Sequence, residues 1–349
     1  MTTTVNEVMD KNYFTSKAEV KWCPGCGDYA IINSVKGAMV NRAKPRDEVA
    51  IVSGIGCSSR FPYYMETYGF HTIHGRAAAI ASGLKVGKPD LDVWVISGDG
   101  DSTAIGGNHW IHAIRRNINL NYVLINNKIY GLTKGQYSPT SEMGQITKTT
   151  PYGVIDYPMN PLVTALGIGG TFVARSIDKD VKMGEEICTR GANHPGFSLM
   201  EMYSNCVIFN DGAHDKITGK DKADFTIHVQ HGKKLIFGVE NNLCLVQDGF
   251  RIKMAKVSDV AESAIIVHDE TNLQLATLLA DMAPSKGQPV ALGVIYCDPA
   301  KKSYDFMVHE QVQQVIASKG EQPLDKLLRA GDTWTISTTL CNASGCKTV

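Results

Sequence analysis

The sequence predicts an α/β fold in which a mostly parallel sheet is covered by helices on both faces. Short, continuous apolar runs alternate with helix-like segments from about residue 28 to residue 202, and such runs are typical of strands buried on both faces. We expect strands at residues 49–53, 93–96, 122–125, 171–174 and 197–202. Helices are expected at residues 30–40, with Asp28 as the N-cap, and at 75–86 and 105–116.

The pattern changes after about residue 210. Antiparallel strands are expected between residues 235 and 257, then a helix at 271–282, a strand at 290–296 and a helix at 309–318. We therefore divide the chain into a domain at 1–210 and a C-terminal α+β extension at 211–349. Residues 128–161 show no clear period, and a long stretch of this kind within a compact domain is typical of a cover over a site.

The composition of the chain indicates which partners, cellular location and cysteine chemistry to expect. The 349 residues are 43% hydrophobic, and 35 basic residues balance 35 acidic ones, so no global field favours nucleic acid or an anionic membrane as a partner. No apolar run approaches the roughly 20 residues that span a bilayer, and the first residues lack the apolar core of a secretory signal. We expect a cytoplasmic protein. Its 9 cysteines are then more suited to metal or redox chemistry than to disulfides.

Oxygen ligands follow two neighbouring predicted strands. Asp99 lies in Gly98-Asp99-Gly100 after one strand, and Asn126-Asn127 follows the next, which is the thiamine diphosphate motif. Mg²⁺ prefers octahedral oxygen ligands, which the Asp99 carboxylate, the Asn127 amide and the Ile129 carbonyl can supply beside a diphosphate. The glycines let the backbone approach the phosphates, and the following helix presents N–H groups to them. An ordinary strand–turn–helix is the alternative, and the second motif favours the cofactor.

A nicotinamide site is the natural competitor. Gly54-x-Gly56 and Gly98-x-Gly100 each begin a dinucleotide fingerprint. Ser59 and Thr103 occupy the positions of the third glycine, so we exclude this class.

Four cysteines lie next to predicted helices and strands of this domain. Cys23 and Cys26 form a CxxC pair before a helix, and Cys57 and Cys206 follow strands at the same expected sheet edge. A thioredoxin-like pair is disfavoured because no strand precedes it. Four thiolates suit a [4Fe–4S] cluster or a structural Zn²⁺, and the sequence alone does not separate these. A neighbouring cofactor that needs an electron acceptor favours the cluster. The other cysteines are expected to fill space or lie on the surface: Cys188, Cys244, Cys297, Cys341 and Cys346.

Several motifs together resemble the β subunits of 2-oxoacid:ferredoxin oxidoreductases. They are Cys23-Pro24-Gly25-Cys26-Gly27-Asp28, Gly54-Ile55-Gly56-Cys57-Ser58-Ser59-Arg60, His74-Gly75-Arg76-Ala77, Gly98-Asp99-Gly100-Asp101 and Asn126-Asn127-x-Ile129-Tyr130-Gly131-Leu132-Thr133-x-x-Gln136. The resemblance is specific over residues 22–210 and weaker beyond. Within the family, the chain is most similar to the enzymes that act on 2-oxoglutarate.

The resemblance implies a set of site residues. Cys23, Cys26, Cys57 and Cys206 would bind one [4Fe–4S] cluster, and Asp99, Asn127 and Ile129 would hold Mg²⁺. The residues expected to contact the cofactor are Gly56, Cys57, Ser58, Ser59, His74, Gly98, Asp99, Gly100, Asp101, Asn127, Ile129, Tyr130, Gly131, Leu132 and Thr133.

The resemblance also implies an activity: coenzyme A-dependent oxidative decarboxylation of 2-oxoglutarate to succinyl-CoA and CO₂, with electrons passed through the cluster to ferredoxin. An α subunit, in an α2β2 assembly, would supply the carboxylate that activates thiamine diphosphate, so the isolated chain should be inactive. Residues 211–349 would cover the cluster and contact the partner subunit. The alternatives are the same chemistry on pyruvate or a branched-chain 2-oxoacid, a non-oxidative thiamine decarboxylase, and a non-catalytic zinc-binding scaffold.

Two residues beside the expected site are candidates for catalysis. Arg60 could bind a substrate carboxylate, since a guanidinium matches carboxylate geometry, or it could be a solvated or locally paired arginine. His74 could contact the diphosphate or assist proton transfer, and a core or capping histidine is the alternative. Many members of the family carry a glycine where this chain has Lys134.

Overall fold

The computed structural model describes residues 9–334 together with the backbone of residues 339–342 and 345–348. The chain forms two compact units, Met1–Phe306 and Met307–Val349. Within the part of the chain that is described, no helix has the length and apolarity needed to cross a membrane.

The helices and strands follow one another along the chain in an alternating order over the first unit. The helices are α1 (Asp28–Arg42), α2 (Phe61–Tyr64), α3 (Ala77–Gly87), α4 (Asp99–Thr103), α5 (Gly107–Arg115), α6 (Pro161–Gly167), α7 (Val181–Asn193), α8 (Asp215–Thr218), α9 (Lys222–Phe225), α10 (Leu273–Asp281), α11 (Tyr304–Lys319) and α12 (Leu324–Leu328). The strands are β1 (Val49–Ser53), β2 (Tyr68–His71), β3 (Asp92–Gly98), β4 (Asn121–Asn126), β5 (Phe172–Ile177), β6 (Ser198–Tyr203), β7 (Thr226–Val229), β8 (Ile236–Phe237), β9 (Leu243–Asp248), β10 (Arg251–Lys256), β11 (Val290–Cys297), β12 (Thr339–Asn342) and β13 (Gly345–Thr348).

The central feature is an 8-stranded sheet with the order β2-β1-β3-β4-β6-β5-β11-β7. Its neighbouring strands are parallel except β11 and β5, which pair in the antiparallel sense. Strands β8, β9 and β10 form a small antiparallel sheet, and β12 pairs with β13. The predicted fold class, a mostly parallel sheet in an α/β protein, is confirmed.

Helices cover the main sheet on both faces because the strand side chains alternate between two cores. In β3, Val93 and Val95 belong to a cluster that also contains residues of α3, α5, α6 and α10. Trp94 and Ile96 belong to a second cluster with residues of α1 and α7. Every residue of β1 is buried, which explains its continuous apolar run.

The structure differs from expectation in three places. Gly27, not Asp28, is the N-cap of α1, and the buried Asp28 carboxylate accepts a hydrogen bond from the Ser204 hydroxyl at 3.2 Å. Strand β2 was not predicted, since all its residues are exposed and give no apolar pattern. Residue 210 is not a boundary of the sheet, because β7 and β11 lie beyond it and join the main sheet through β5.

Candidate functional site

The motif residues converge at one edge of the main sheet. Strands β1, β3, β4 and β6 are adjacent in that order and parallel, so their carboxyl ends meet at the same edge. Cys57, Asp99, Asn127 and Cys206 each follow one of these ends. This edge is where open α/β sheets bind ligands.

A cavity opens at this edge. All the residues expected to contact the cofactor line it except Ser59, namely Gly56, Cys57, Ser58, His74, Gly98, Asp99, Gly100, Asp101, Asn127, Ile129, Tyr130, Gly131, Leu132 and Thr133. Ile55 and Ile125 line it too and were not predicted. Ser59 is fully buried, its carbonyl accepts a hydrogen bond from the Ser53 hydroxyl, and its own hydroxyl has no partner.

Asp99 is buried at the end of β3, where two hydroxyls from the segment between β4 and α6 reach it. Oδ2 of Asp99 accepts hydrogen bonds of 2.6 Å from both Ser138 and Thr140. Burial raises the pKa of this carboxyl, and the two hydroxyls oppose that rise. Sequence reasoning missed Ser138 and Thr140, whose only signal was a hydroxyl-rich stretch in the predicted cover.

The loop after β4 is fixed by side-chain hydrogen bonds. Oδ1 of Asn127 accepts a hydrogen bond from the Ile129 backbone N–H at 3.2 Å, and the Asn210 side chain donates to the Asn127 carbonyl at 2.9 Å. The Asn126 side chain donates to Glu201 at 2.8 Å. These bonds fix the loop that contains Asn127 and Ile129, and both residues line the cavity.

Gly100 has no room for a side chain because the Tyr130 ring occupies the place of a Cβ. The Tyr130 hydroxyl donates to the Gly100 carbonyl at 2.9 Å. Burial raises the pKa of Tyr130 to about 12, and the charges of Asp99 and Asp101 add to this. Because Gly100 has no side chain, the neutral Tyr130 ring can pack against it and form this part of the cavity wall.

The Asp101 carboxylate contacts His74, and both residues line the cavity. Its Oδ1 lies 2.9 Å from His74 Nδ1 and accepts the Gly75 backbone N–H at 2.9 Å, while Oδ2 accepts the Ser97 hydroxyl at 2.7 Å. The same carboxylate fills the space where Gly54 would carry a side chain. With Nδ1 engaged, Nε2 is the His74 nitrogen available to the cavity that this residue lines.

The CxxC turn is tied to the segment after β6. The Gly27 N–H donates to the Asn205 carbonyl at 3.3 Å, and a Cβ on Gly27 would collide with Asp178 and Ser204. The Trp22 indole N–H donates to the Cys57 carbonyl at 2.7 Å. These contacts bring Cys23 and Cys26 toward Cys206 and Cys57, which sequence spacing alone did not require.

The four thiols are free, and burial and nearby negative charge act on two of them, Cys26 and Cys57. Burial, the Asp28 charge and the other thiols raise the pKa of Cys57 to about 12, and burial with the same carboxylate raises the pKa of Cys26. A Cβ on Gly131, which lines the cavity, would lie 3.4 Å from the Cys206 sulfur and 3.6 Å from the Cys57 sulfur. In residues 9–334, no group of three or more His, Cys, Asp or Glu side chains is arranged to hold a single metal ion.

The remaining cysteines lie apart from this group. Cys188 and Cys244 are buried and Cys297 is partly buried, all as free thiols. The side chains of Cys341 and Cys346 lie outside the described residues.

Arg60 does not line the first cavity. It lines a neighbouring cavity together with Glu19, Lys21 and His71, and the two cavities share Gly56 and Leu132 as lining residues. Lys21 is paired with Glu19, so Arg60 is the guanidinium that could meet a negatively charged group of a ligand extending from the first cavity.

Lys134 lies in the turn that follows Tyr130. Its φ of 77° is in the left-handed region, which favours glycine. The Thr133 hydroxyl donates to the Gln136 side chain at 2.5 Å, so these two residues close the turn together.

Comparisons with known proteins agree with this geometry. Residues 54–202 match the family described as thiamine pyrophosphate enzyme, C-terminal TPP binding domain. The chain is 47% identical over 327 residues to the 2-oxoglutarate oxidoreductase subunit KorB of Mycobacterium tuberculosis, covering 93% of this chain and 87% of the relative. It is 45% identical over 185 residues to the 2-oxoglutarate synthase subunit KorB of Archaeoglobus fulgidus, covering 53% of this chain and 69% of that protein.

A solved structure is similar over nearly the whole length. It is the 2-oxoglutarate:ferredoxin oxidoreductase from Magnetococcus marinus with 2-oxoglutarate, coenzyme A and succinyl-CoA bound, which superposes with a TM-score of 0.74 at 34% identity and covers 94% of this chain and 97% of that one. Similarity of this extent, together with a thiamine-type cavity at the expected sheet edge, places the chain in the family of KorB subunits, the β subunits of 2-oxoglutarate:ferredoxin oxidoreductases.

Proposed function

We propose that this chain is the cofactor-binding subunit in the coenzyme A-dependent oxidative decarboxylation of 2-oxoglutarate to succinyl-CoA and CO₂, with electrons leaving through a [4Fe–4S] cluster to ferredoxin. The observation that carries the proposal is the cavity itself. It is lined by the expected cofactor residues other than Ser59, Cys57 among them, and a Cβ on the lining residue Gly131 would lie within 3.6 Å of the sulfurs of Cys57 and Cys206. The related structure that binds 2-oxoglutarate and coenzyme A supports the choice of substrates.

The residues fit a diphosphate held by Mg²⁺. Asp99 offers an anionic oxygen, Asn127 a neutral one and Ile129 a backbone carbonyl, which is the oxygen set that Mg²⁺ prefers. The buried Asp99 carboxylate gains from a cation, since burial alone disfavours its charge. Thiamine diphosphate supplies, when bound, the electron sink that decarboxylation of a 2-oxoacid requires.

The donor set at Cys23, Cys26, Cys57 and Cys206 fits an iron–sulfur cluster, which is held by cysteine thiolates. Burial and nearby negative charge raise the pKa of Cys26 and of Cys57, and the positive charge of bound iron would oppose that rise. The zinc-scaffold alternative is less well supported, because relatives of this chain are named as subunits of enzymes, among them oxidoreductases.

Two side chains of this subunit are proposed to act on the substrate side. His74, with Nδ1 held by Asp101, is placed to take or give a proton at Nε2. Arg60 is placed to bind the second carboxylate of a dicarboxylic 2-oxoacid in the neighbouring cavity. This second carboxylate distinguishes 2-oxoglutarate from pyruvate and from branched-chain 2-oxoacids.

A partner subunit is needed to complete the site. Among the described residues, the carboxylates that line the cavity are Asp99 and Asp101, and both are engaged by donors of this chain. We propose that the carboxylate that activates the aminopyrimidine comes from an α subunit. We further propose an α2β2 assembly in which residues 211–349 cover the cluster and contact the partner.

Co-expression with the α subunit, followed by anaerobic purification, tests the function. A brown protein with absorbance near about 400 nm is expected from iron–sulfur ligation, and this absorbance should bleach when 2-oxoglutarate and coenzyme A are added together. A viologen dye should be reduced fastest with 2-oxoglutarate in a panel with pyruvate and branched-chain 2-oxoacids. Preference for pyruvate would overturn the substrate assignment, and loss of CO₂ without dye reduction would indicate a non-oxidative decarboxylase.

A further inference from the structure

Two hydroxyls of the predicted cover converge on one carboxylate oxygen. Ser138 and Thr140 lie in the segment between β4 and α6 and are 1% and 3% exposed. Each hydroxyl lies 2.6 Å from Oδ2 of Asp99, a distance typical of a hydroxyl that donates to an ionised carboxylate. Asp99 therefore has both donors on the same oxygen.

Oδ1, the other oxygen of the Asp99 carboxylate, has different surroundings. No side chain within residues 9–334 donates a hydrogen bond to Oδ1 of Asp99, and the carboxylate also interacts with the backbone N–H groups of Asp99 and Gly100 at the start of α4. A carboxylate fixed at one oxygen by two donors cannot rotate freely about its Cβ–Cγ bond, so the direction of the second oxygen is also fixed. That second oxygen belongs to a residue lining the cavity.

The Ser138–Ser141 turn is itself anchored to the neighbouring strand end. The Ser141 hydroxyl donates to the Lys128 carbonyl at 2.7 Å and accepts the Ser138 N–H at 2.9 Å. Thr140 Oγ1 also lies 3.0 Å from the side-chain oxygen of Asn126, next to Asn127. The turn thus connects the residue after β3 with the loop after β4, which are the two sources of the proposed oxygen ligands.

We infer that Ser138 and Thr140 are positioning residues for the metal, which hold Oδ2 of Asp99 so that Oδ1 is directed at Mg²⁺. This inference rests on the proposed function, in which Asp99 is a Mg²⁺ ligand. Groups that orient ligands in this way commonly change metal affinity by about 10- to 100-fold when they are removed. Their effect should appear in the metal requirement and not in the chemistry at saturating metal.

The test uses the co-purified holoenzyme after removal of cofactor and metal with EDTA. Binding of thiamine diphosphate is followed by tryptophan fluorescence while Mg²⁺ is titrated. Ser138→Ala and Thr140→Val should each raise the half-saturating Mg²⁺ concentration about 10-fold, because each loses one hydrogen bond to a charged group. Thr140→Ser, which keeps a hydroxyl, should bind like the parent protein.

Thr149→Val is the matched control, since Thr149 is an exposed threonine of the same segment. It should leave the Mg²⁺ requirement unchanged. Each hydroxyl variant removes a hydrogen bond from a buried carboxylate, so its unfolding midpoint in EDTA should fall. The titrations are therefore run at a temperature at which circular dichroism shows every variant fully folded in EDTA. If the Mg²⁺ requirement of the fully folded variants equals that of the parent protein, the inference is overturned.

Asp99→Asn distinguishes a failure of the metal-site assignment from a failure of the positioning role. If Asp99→Asn abolishes Mg²⁺-dependent binding while Ser138→Ala and Thr140→Val bind normally, the positioning role fails and the metal site stands. If Asp99→Asn leaves the Mg²⁺ requirement unchanged, the assignment of Asp99 as a ligand fails, and the positioning role fails with it.

Discussion

Gly131 is the residue at which the cavity and the thiols meet. Its φ is not in the left-handed region, so alanine or valine is compatible with its backbone. A Cβ there would contact the sulfurs of Cys206 and Cys57 at 3.4 and 3.6 Å. We expect Gly131→Val to lose most of its iron, because the extra methyl groups would occupy the space at the thiolates, whereas Gly131→Ala should retain it.

Iron per chain and absorbance near about 400 nm measure this effect directly. Gly83→Val is the control, since Gly83 lies in α3 with nothing within 4 Å of a Cβ. Full iron content in Gly131→Val would show that the cluster does not lie behind this residue.

Arg60 is the residue expected to distinguish 2-oxoglutarate from pyruvate. A guanidinium–carboxylate hydrogen bond is worth about 1.5–3 kcal/mol, which corresponds to about 10- to 100-fold in affinity. Arg60→Ala should therefore raise the KM for 2-oxoglutarate by this factor and leave the KM for pyruvate within about twofold. Arg60→Lys keeps the charge and should lie between the two. Equal increases for both substrates would remove the argument for a second-carboxylate site.

Among the elements, the β5–β6 pair contains a buried ion pair. Arg175 and Glu201 are register partners on adjacent strands, their charged atoms are 2.7 Å apart, and both side chains are almost fully buried. Glu201→Gln would leave the guanidinium uncompensated, and breaking a buried pair in this way costs about 3–5 kcal/mol. We expect a loss of this size in the free energy of unfolding, measured with urea.

The double variant Arg175→Met/Glu201→Leu should lose less than Glu201→Gln alone, because it buries no unpaired charge. Asp281→Asn removes an exposed pair with Lys286 and should cost at most about 1 kcal/mol. A Glu201→Gln protein as stable as this control would show that water or a neighbouring group compensates Arg175.

The elements also show what the sequence can and cannot predict. Strands such as β1 and β3 were predicted because burial on both faces produces continuous apolar runs. Strand β2 was missed because an exposed edge strand has no such run. Ser138 and Thr140 were missed because the target of a hydroxyl depends on how the cover folds back onto β3, and no local period records that.

For the molecule as a whole, the convergence of the candidate site residues was predictable because parallel strands bring their carboxyl ends to one edge. That rule placed Cys57, Asp99, Asn127 and Cys206 together without any structure. The extent of the sheet was not predictable in the same way. Strand β11 joins the main sheet antiparallel to β5, and β7 pairs with β11. These pairings are long-range, and the change of sequence pattern after residue 210 gave no indication of them.

The isolated chain should bind its cofactor and fail to turn over. Its cavity contains the proposed Mg²⁺ ligands, so thiamine diphosphate should bind in the presence of Mg²⁺. The two carboxylates that line the described cavity, Asp99 and Asp101, are held by Ser138 and Thr140 and by His74, so neither is free to activate the aminopyrimidine. Viologen reduction by the single chain with 2-oxoglutarate and coenzyme A should be less than about 1% of that of the assembled enzyme, since removal of a general acid–base group commonly costs about 100-fold or more. Adding the separately purified α subunit should restore it, and turnover by the single chain at a rate near that of the assembly would show that this subunit contains a complete active site.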